Sequence, residues 1–396
     1  MSEPPVEASY ITERNAAVPP AAPGEFAPLE LGPRIRIQTP VVLAPMAGVT
    51  NAPYRVLCRE FGEAIYVSEM ITARGIVHGN QKTRHLASFH ASENPRSLQL
   101  YGTTPKWLEE AARILVAEHG VDHLDINLGC PVRKVTASGG GSAIPYRPRL
   151  MARLLRALKK GAGDVPVTVK MRLGIDEEHL TFRKAGQVAQ DEGMAWVGLH
   201  ARTAAQLYDG EASWPHIAEL AELLDIPVLG NGDIWESRDA LRMMRETGCA
   251  GVIVGRGCLG RPWLFRELEQ LFAGEEPSPP PRFAEIREIA MRHAELLREW
   301  YDERTASLHM RKFGSWYTQC FPGARRLKDR LQRVQSLEAL RSALEQIPDE
   351  EPFPVEGLRA RRCKKSGRQR VSLPPGYLED PDADMAPEEE LFVEGG

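Results

Sequence analysis

No stretch of eighteen consecutive apolar residues occurs in the 396-residue chain, so a membrane-spanning helix is not expected. The amino terminus, with Glu3, Pro4, Pro5 and Glu7, has neither the basic nor the apolar region of a secretory signal. Six cysteines (Cys58, Cys130, Cys249, Cys258, Cys320 and Cys363) form no CxxC pair and accompany no histidine cluster, which excludes the usual zinc patterns and a disulfide framework. A reduced, cytoplasmic setting without metal is therefore expected. No large charge of one sign exists either: the net charge is -4, which argues against indiscriminate binding to nucleic acid while leaving room for local patches. What remains is a chain that is 42% hydrophobic, ample for a large enzyme core.

Short apolar runs alternate with helical patterns from Val41 to about Leu264. The runs are Val41 to Ala44, Ala64 to Val67, Ser97 to Tyr101, His123 to Ile126, Val167 to Lys170, Ala195 to Leu199, Val228 to Gly230 and Gly251 to Val254. Stretches such as Pro105 to Glu118, Arg149 to Lys160 and Ser237 to Thr247 are long enough for the crossover helices that parallel strands require. Eight such units in about 225 residues fit a (β/α)8 TIM barrel. A doubly wound sheet would carry GxGxxG after its first strand, and the first strand here ends in Ala44-Pro45-Met46-Ala47-Gly48 instead.

The remaining segments divide by composition. Residues 1–38, rich in Pro, Ala and Glu, read as a flexible arm, 39–274 as the barrel, 282–347 as a small all-helical C-terminal domain, and 348–396 as a disordered tail, first basic and then acidic. Pro-rich residues 275–281 form the linker. From Arg304 to Val334 eight Lys or Arg stand against the single acid Asp329, with Trp316, Tyr317 and Phe321 interleaved. Such a pattern suits RNA, whose phosphates pair with cations and whose bases stack, or else a solvated helix face with its aromatics packed on the barrel.

In a barrel the residues that end successive strands converge on one face. Cys130 follows an apolar strand in Asp125-Ile126-Asn127-Leu128-Gly129-Cys130-Pro131, where Gly129 and Pro131 force the chain into a loop. A buried inert thiol is the alternative, but Asn127 and the run Gly139-Gly140-Gly141-Ser142 favour a reactive one. Gln99 ends the third strand and can pair with the edge of a flat heterocycle. Lys170 ends the fifth and calls for an anionic partner, or for a carboxylate on a neighbouring strand. His200 and Arg202 end the sixth, Asn231, Gly232 and Asp233 the seventh, and Gly255 and Arg256 the eighth, where barrels often bind phosphate. Together these residues describe a site for a flat, phosphorylated cofactor.

Seven motifs stand in order: Ala44-Pro45-Met46-Ala47-Gly48-Val49-Thr50-Asn51, Gln99-Leu100-Tyr101-Gly102, Asn127-Leu128-Gly129-Cys130-Pro131, Val169-Lys170-Met171-Arg172, His200-Ala201-Arg202-Thr203, Asn231-Gly232-Asp233-Ile234 and Gly255-Arg256-Gly257. In these the chain resembles the bacterial tRNA-dihydrouridine synthases over roughly residues 38–340. The resemblance implies an FMN-bound barrel reduced by NADPH, a helical domain that holds tRNA, and reduction of the C5=C6 bond of D-loop uridines. It implies that Pro45, Met46 and Ala47 line the flavin and that Gln99 and Lys170 hydrogen-bond its ring. His200, Asn231, Gly232, Asp233, Gly255 and Arg256 would hold the ribityl phosphate. Cys130 would be the catalytic proton donor, with Asn127, Lys134 and Arg202 contacting substrate. A monomer is expected.

Two other readings compete. An FMN-dependent dihydroorotate or dihydropyrimidine-type dehydrogenase would share the barrel and a strand-end Cys, but has no evident use for the basic helical segment. A non-catalytic RNA-binding protein would have no need of Cys130, Lys170, His200 and Arg256 together.

Overall fold

The computed structural model describes residues 12–362 and 367–385. Ten strands order it: β1 (Leu29–Leu31), β2 (Ile35–Ile37), β3 (Val41–Leu43), β4 (Ile65–Thr72), β5 (Ser97–Tyr101), β6 (His123–Leu128), β7 (Val167–Arg172), β8 (Val197–His200), β9 (Val228–Asn231) and β10 (Gly251–Val254). β3 to β10 are all parallel and close into a barrel, β10 pairing back onto β3. Each of the eight apolar runs is a barrel strand, because parallel strands covered on both faces read as continuous apolar stretches. Crossover helices include Pro105–His119, Pro148–Ala162 and Ser237–Thr247. The last begins with a capping box between Glu236 and Asp239 and ends at Gly248, whose φ of 67° suits the left-handed turn.

The expected flexible arm is corrected by the structure where it is described. β1 and β2 form an antiparallel hairpin across Gly32. Leu29, Leu31, Ile35 and Ile37 are buried against Val42, Ile65, Trp196 and Ile253, closing the barrel at the end opposite the strand C-termini. Glu30 and Arg36 between them face out and pair with each other at 3.2 Å. Each buried side chain contributes about 2 kcal/mol of hydrophobic stabilisation. Leu-Glu-Leu and Ile-Arg-Ile alternate with period two, the signal of a half-buried strand, masked in sequence by the Pro-rich surroundings.

Helices Phe283–Trp300, Glu303–Tyr317, Ala324–Leu331 and Leu337–Leu344 make up the C-terminal helical region. It packs on the barrel: Tyr54 donates its hydroxyl to the Cys258 carbonyl at 2.8 Å beneath Phe313, and a side chain at Gly260 would meet the Trp316 carbonyl oxygen at 2.6 Å. Trp316, Tyr317 and Phe321 are buried, so these aromatics are core residues with no free face for stacked bases. The exposed cations Arg304, Lys312, Arg325, Arg326, Lys328, Arg330 and Arg333 remain on the outside.

The disordered-tail expectation is also corrected. Phe353, Leu358, Arg362 and Tyr377 are buried, and the acidic residues Asp382 and Asp384 pair with Arg149 and Arg153 of a barrel helix. Buried aromatic and aliphatic side chains supply the burial that a disordered segment lacks. Residues 1–11, 363–366 and 386–396 lie outside the described residues, and so do the expectations that fall on them. Among the described residues no helix is long and apolar enough to cross a membrane.

Candidate active site

The pleat carries one line of side chains into the barrel. β6 pairs with β7 in a register that sets Asp125 beside Thr168 and Asn127 beside Lys170, and side chains two apart face the same way. Inside, a polar chain runs across three strands. Ser97 meets His123 at 2.7 Å and His123 meets Thr168 at 2.8 Å. Thr168 donates to Asp125 at 2.6 Å, Gln99 donates to the other Asp125 oxygen at 2.6 Å, and Asn127 donates to Gln99 at 2.7 Å. Burial pushes the Asp125 carboxyl up to about 6 and holds the His123 imidazole down to about 3. Gln99 is fully buried with both ends of its amide engaged, so it supports Asn127 from below and does not reach the cavity surface.

Asn127 in turn shapes the thiol loop. Its amide oxygen accepts from the backbone N–H groups of Gly129 (3.2 Å) and Cys130 (2.8 Å), which fixes the orientation of the amide. Gly141, at φ 55°, crosses so close that a Cβ there would lie 2.6 Å from the Cys130 carbonyl oxygen. The run of glycines after Cys130 is thus the other wall of its loop. Burial raises the Cys130 thiol above its ordinary range, partly offset by the Val132 backbone and by Arg172. At neutral pH the sulfur keeps its proton.

The opposite half of the mouth is cationic. Lys170 donates to the Asn231 side-chain oxygen at 2.8 Å, not to a carboxylate, and Asn231 donates to the Ile253 carbonyl at 2.7 Å. A Cβ at Gly198 would come within 2.5 Å of the Ile253 side chain, so glycine there leaves room for Ile253 beside the Lys170 stem. Burial lowers the Lys170 ammonium to about 8, with Arg172 adding to the effect. His200 is driven well below its usual value by burial and by Arg172, Lys170, Arg202 and Arg256, and stands neutral.

Arg202 is buried, and Nε and Nη2 of its guanidinium are engaged. It donates to both Asp233 oxygens (2.8 and 2.7 Å) and to the carbonyls of Asp209 and Gly210. Asp233 also accepts from the Ala212 N–H at 2.7 Å. Arg202 and Asp233 therefore lock two loops together, while Arg202 Nη1, with only a 3.5 Å contact to His200, stays at the cavity wall. Asp233 sits at φ 59° and Gly232 at φ 126°, a turn that aims the chain away from the barrel axis. Lys134 lies exposed on the rim, in the turn Arg133–Thr136.

An open cleft lies here, lined by Ala44, Pro45, Met46, Lys170, His200, Arg202, Asn231, Gly232, Asp233, Gly255 and Arg256 among others. Ala47 is exposed beside it. Arg256 is held between the rings of Tyr208 (4.6 Å) and Trp235 (4.8 Å), with a 3.8 Å contact to Asp233 and no side-chain hydrogen bond among the described residues. Its donors stand ready for an anion. Tyr208, Trp235 and Arg172 escaped the sequence reading. Arg172 was visible as the last residue of its strand, whereas Tyr208 lies in a loop with no local signal.

A flat, phosphorylated group fits these residues. Uncompensated cations, open glycine backbone at Gly255 and an apolar wall from Ala44 to Met46 are the donor set that such a group demands.

Residues 42–351 match the family described as Dihydrouridine synthase (Dus). The chain belongs to the dihydrouridine synthase family. It is accordingly an oxidoreductase. Among its relatives, a protein of Mycobacterium tuberculosis (strain ATCC 25618 / H37Rv) named as a probable tRNA-dihydrouridine synthase is 45% identical over 370 residues, covering 91% of this chain and 95% of the relative. A like-named protein of Mycobacterium leprae (strain TN) is 43% identical, covering 90% and 100%. The tRNA-dihydrouridine synthase B of Xanthomonas axonopodis pv. citri (strain 306) is 38% identical, covering 78% and 93%. Dihydrouridine synthases thus match both the barrel and the helical region after it.

Proposed function

We propose that this dihydrouridine synthase reduces the C5=C6 bond of D-loop uridines in tRNA, with FMN as cofactor, NADPH as reductant and Cys130 as the acid. The observation that carries the reading is a protonated thiol on the β6 loop beside a mouth whose other half is lined with cations. When bound, FMN supplies the hydride that C6 receives. Lys170 would hydrogen-bond the ring, while Asn231, His200, Gly255 and Arg256 would hold the anionic end of the cofactor, Arg256 because its side-chain donors are otherwise unused. Pro45 and Met46 keep water from one face of the ring.

Cys130 gives its proton from Sγ to C5. A thiol suits this role because it is protonated at neutral pH yet more acidic than a hydroxyl. Asn127 sets the loop that aims the sulfur. The target base has to leave its stack to lie flat in the mouth, which costs a few kcal/mol and is cheapest in a loop. Exposed cations of the helical region, with Lys134 on the rim, offset that cost through phosphate contacts. Gln99 acts on the flavin only through Asn127, and Arg202 and Asp233 act by holding the loops that surround it.

The test is anaerobic reduction of the flavoprotein with NADPH, addition of unmodified tRNA, and mass mapping of the product. A gain of two mass units at a D-loop uridine, with oxidation of the flavin, supports the reading. Turnover of free uracil or orotate with tRNA inert moves the protein to a free-pyrimidine dehydrogenase.

A further inference from the structure

The Cys130 loop is tied by more than its own neighbours. Three successive carbonyls each accept one hydrogen bond: Gly129 from Arg172 Nε at 3.0 Å, Cys130 from the Ser142 N–H at 3.1 Å, and Pro131 from Gln369 Nε2 at 2.8 Å. Arg172 and Ser142 lie in the barrel, inside the segment that matches the family. Gln369 does not, since that match ends at residue 351. It comes from the C-terminal segment, whose described residues 359–362 and 367–377 are fastened to loops of the barrel mouth.

The fastenings are specific. Arg359 pairs with Glu236 (2.6 Å) and Asp239 (2.9 Å) at the start of the helix after β9. Tyr377 is buried under the Arg147 guanidinium at 4.0 Å and donates its hydroxyl to the Ala143 carbonyl at 3.2 Å, in the loop that walls Cys130. Between them, Gln369 uses its backbone and its side chain together. Its N–H donates to the Ala205 carbonyl at 2.9 Å, and Nε2 donates both to Pro131 and to the Ala204 carbonyl at 3.1 Å. One carboxamide thus spans the loops after β6 and β8. Arg172 makes the parallel tie inside the barrel, from Gly129 to the Thr203 carbonyl at 2.9 Å.

We propose that Gln369 is a positioning residue for Cys130: the C-terminal strap holds the outer end of the thiol loop so that Sγ stays within proton-transfer reach of the base. The inference rests on the acid role given to Cys130 above. A reacting atom must lie within about 3.5 Å of its target, and a loop whose outer carbonyl has lost its donor drifts by enough to matter.

The experiment uses the full-length flavoprotein carrying Gln369→Ala or Gln369→Glu, the latter setting a carboxylate against two carbonyl oxygens. Three quantities are read: the limiting single-turnover rate of the pre-reduced enzyme at saturating unmodified tRNA, the tRNA dissociation constant, and the iodoacetamide alkylation rate of Cys130 by peptide mass mapping. The expected result is a limiting rate about tenfold lower for Gln369→Ala and no higher for Gln369→Glu. Cys130 alkylation rises several-fold, with flavin content and tRNA affinity unchanged. An unchanged rate with unchanged alkylation overturns the proposal. Weaker tRNA binding at an unchanged limiting rate also overturns it, and makes the strap an RNA contact instead. Cys130→Ala in the same assay separates the two readings: full activity in that variant removes the acid role and the proposal with it, whereas loss of activity there alongside wild-type behaviour of the Gln369 variants removes the positioning role alone.

Discussion

The two halves of the barrel mouth are built from the same kind of strand end and do opposite things with charge. At β5 and β6 the line His123, Asp125, Gln99 and Asn127 is closed on itself by hydrogen bonds, and the one titratable group it presents outward, Cys130, is kept protonated by burial. At β7 to β10 cations outnumber acids: Lys170, Arg202 and Arg256 line the cavity, and Asp233 is the one acid among the described residues of its lining, paired with Arg202 and Arg256. A closed network fixes position, and an open cationic one waits for an anion. The difference lets one barrel hold a negatively charged cofactor without turning its acid into a thiolate, because burial of the Cys130 thiol outweighs the pull of Arg172.

The comparison can be broken first at its neutral side. Cys130→Ala should lower turnover about a thousandfold, the usual worth of a general acid, while flavin absorbance per protein stays at the wild-type level; loss of the flavin instead would merge the two halves. Next, Lys170→Ala should weaken flavin binding about 10- to 100-fold by removing a charge-assisted contact, so that the protein purifies pale. A fully yellow Lys170→Ala protein would show that the cationic half does not need it. The same residue sets a pH limit. With the Lys170 pKa lowered to about 8, the ammonium is present below that pH and lost above it, so the affinity of apoprotein for FMN should decline as pH rises through about 8. Equilibrium titrations at pH 7 and 9 test this, and the inflection should be missing from Lys170→Ala.

The smallest effect sharpens the role of the closed network. Asp125 accepts from both Thr168 and Gln99, so Asp125→Asn turns one acceptor into a donor and should cost about 1–2 kcal/mol of stability in urea unfolding. The Asp125 carboxyl has its pKa raised to about 6, so the folded protein binds this proton more tightly than the unfolded chain between pH 3.8 and about 6. Stability therefore falls as pH rises through that window, and Asp125→Asn should lose that part of the slope. An unchanged slope would place the charge elsewhere.

Legibility followed the physics of each region. Barrel strands such as Val167–Arg172 were plain because both faces are covered and most of their residues are apolar. The hairpin of Leu29 to Ile37 was hidden by its shortness, although its alternation was there to read. Arg202 stood in sequence as a contact for substrate, and the fold spends it on Asp233. Trp316, Tyr317 and Phe321 sit among cations in sequence and inside the core in space, since helical spacing sends neighbours to opposite faces.

The sequence by itself determined the barrel, the helical region after it, and the set of polar residues at the strand ends, because strand periodicity and chain order carry that information locally. Only the tertiary structure decided which of those residues remain free. Asn127 against Gln99, Arg202 against Asp233, and Gln369 against Pro131 are separated by 28, 31 and 238 positions. A side chain's availability depends on partners that distant, so no local pattern could record it.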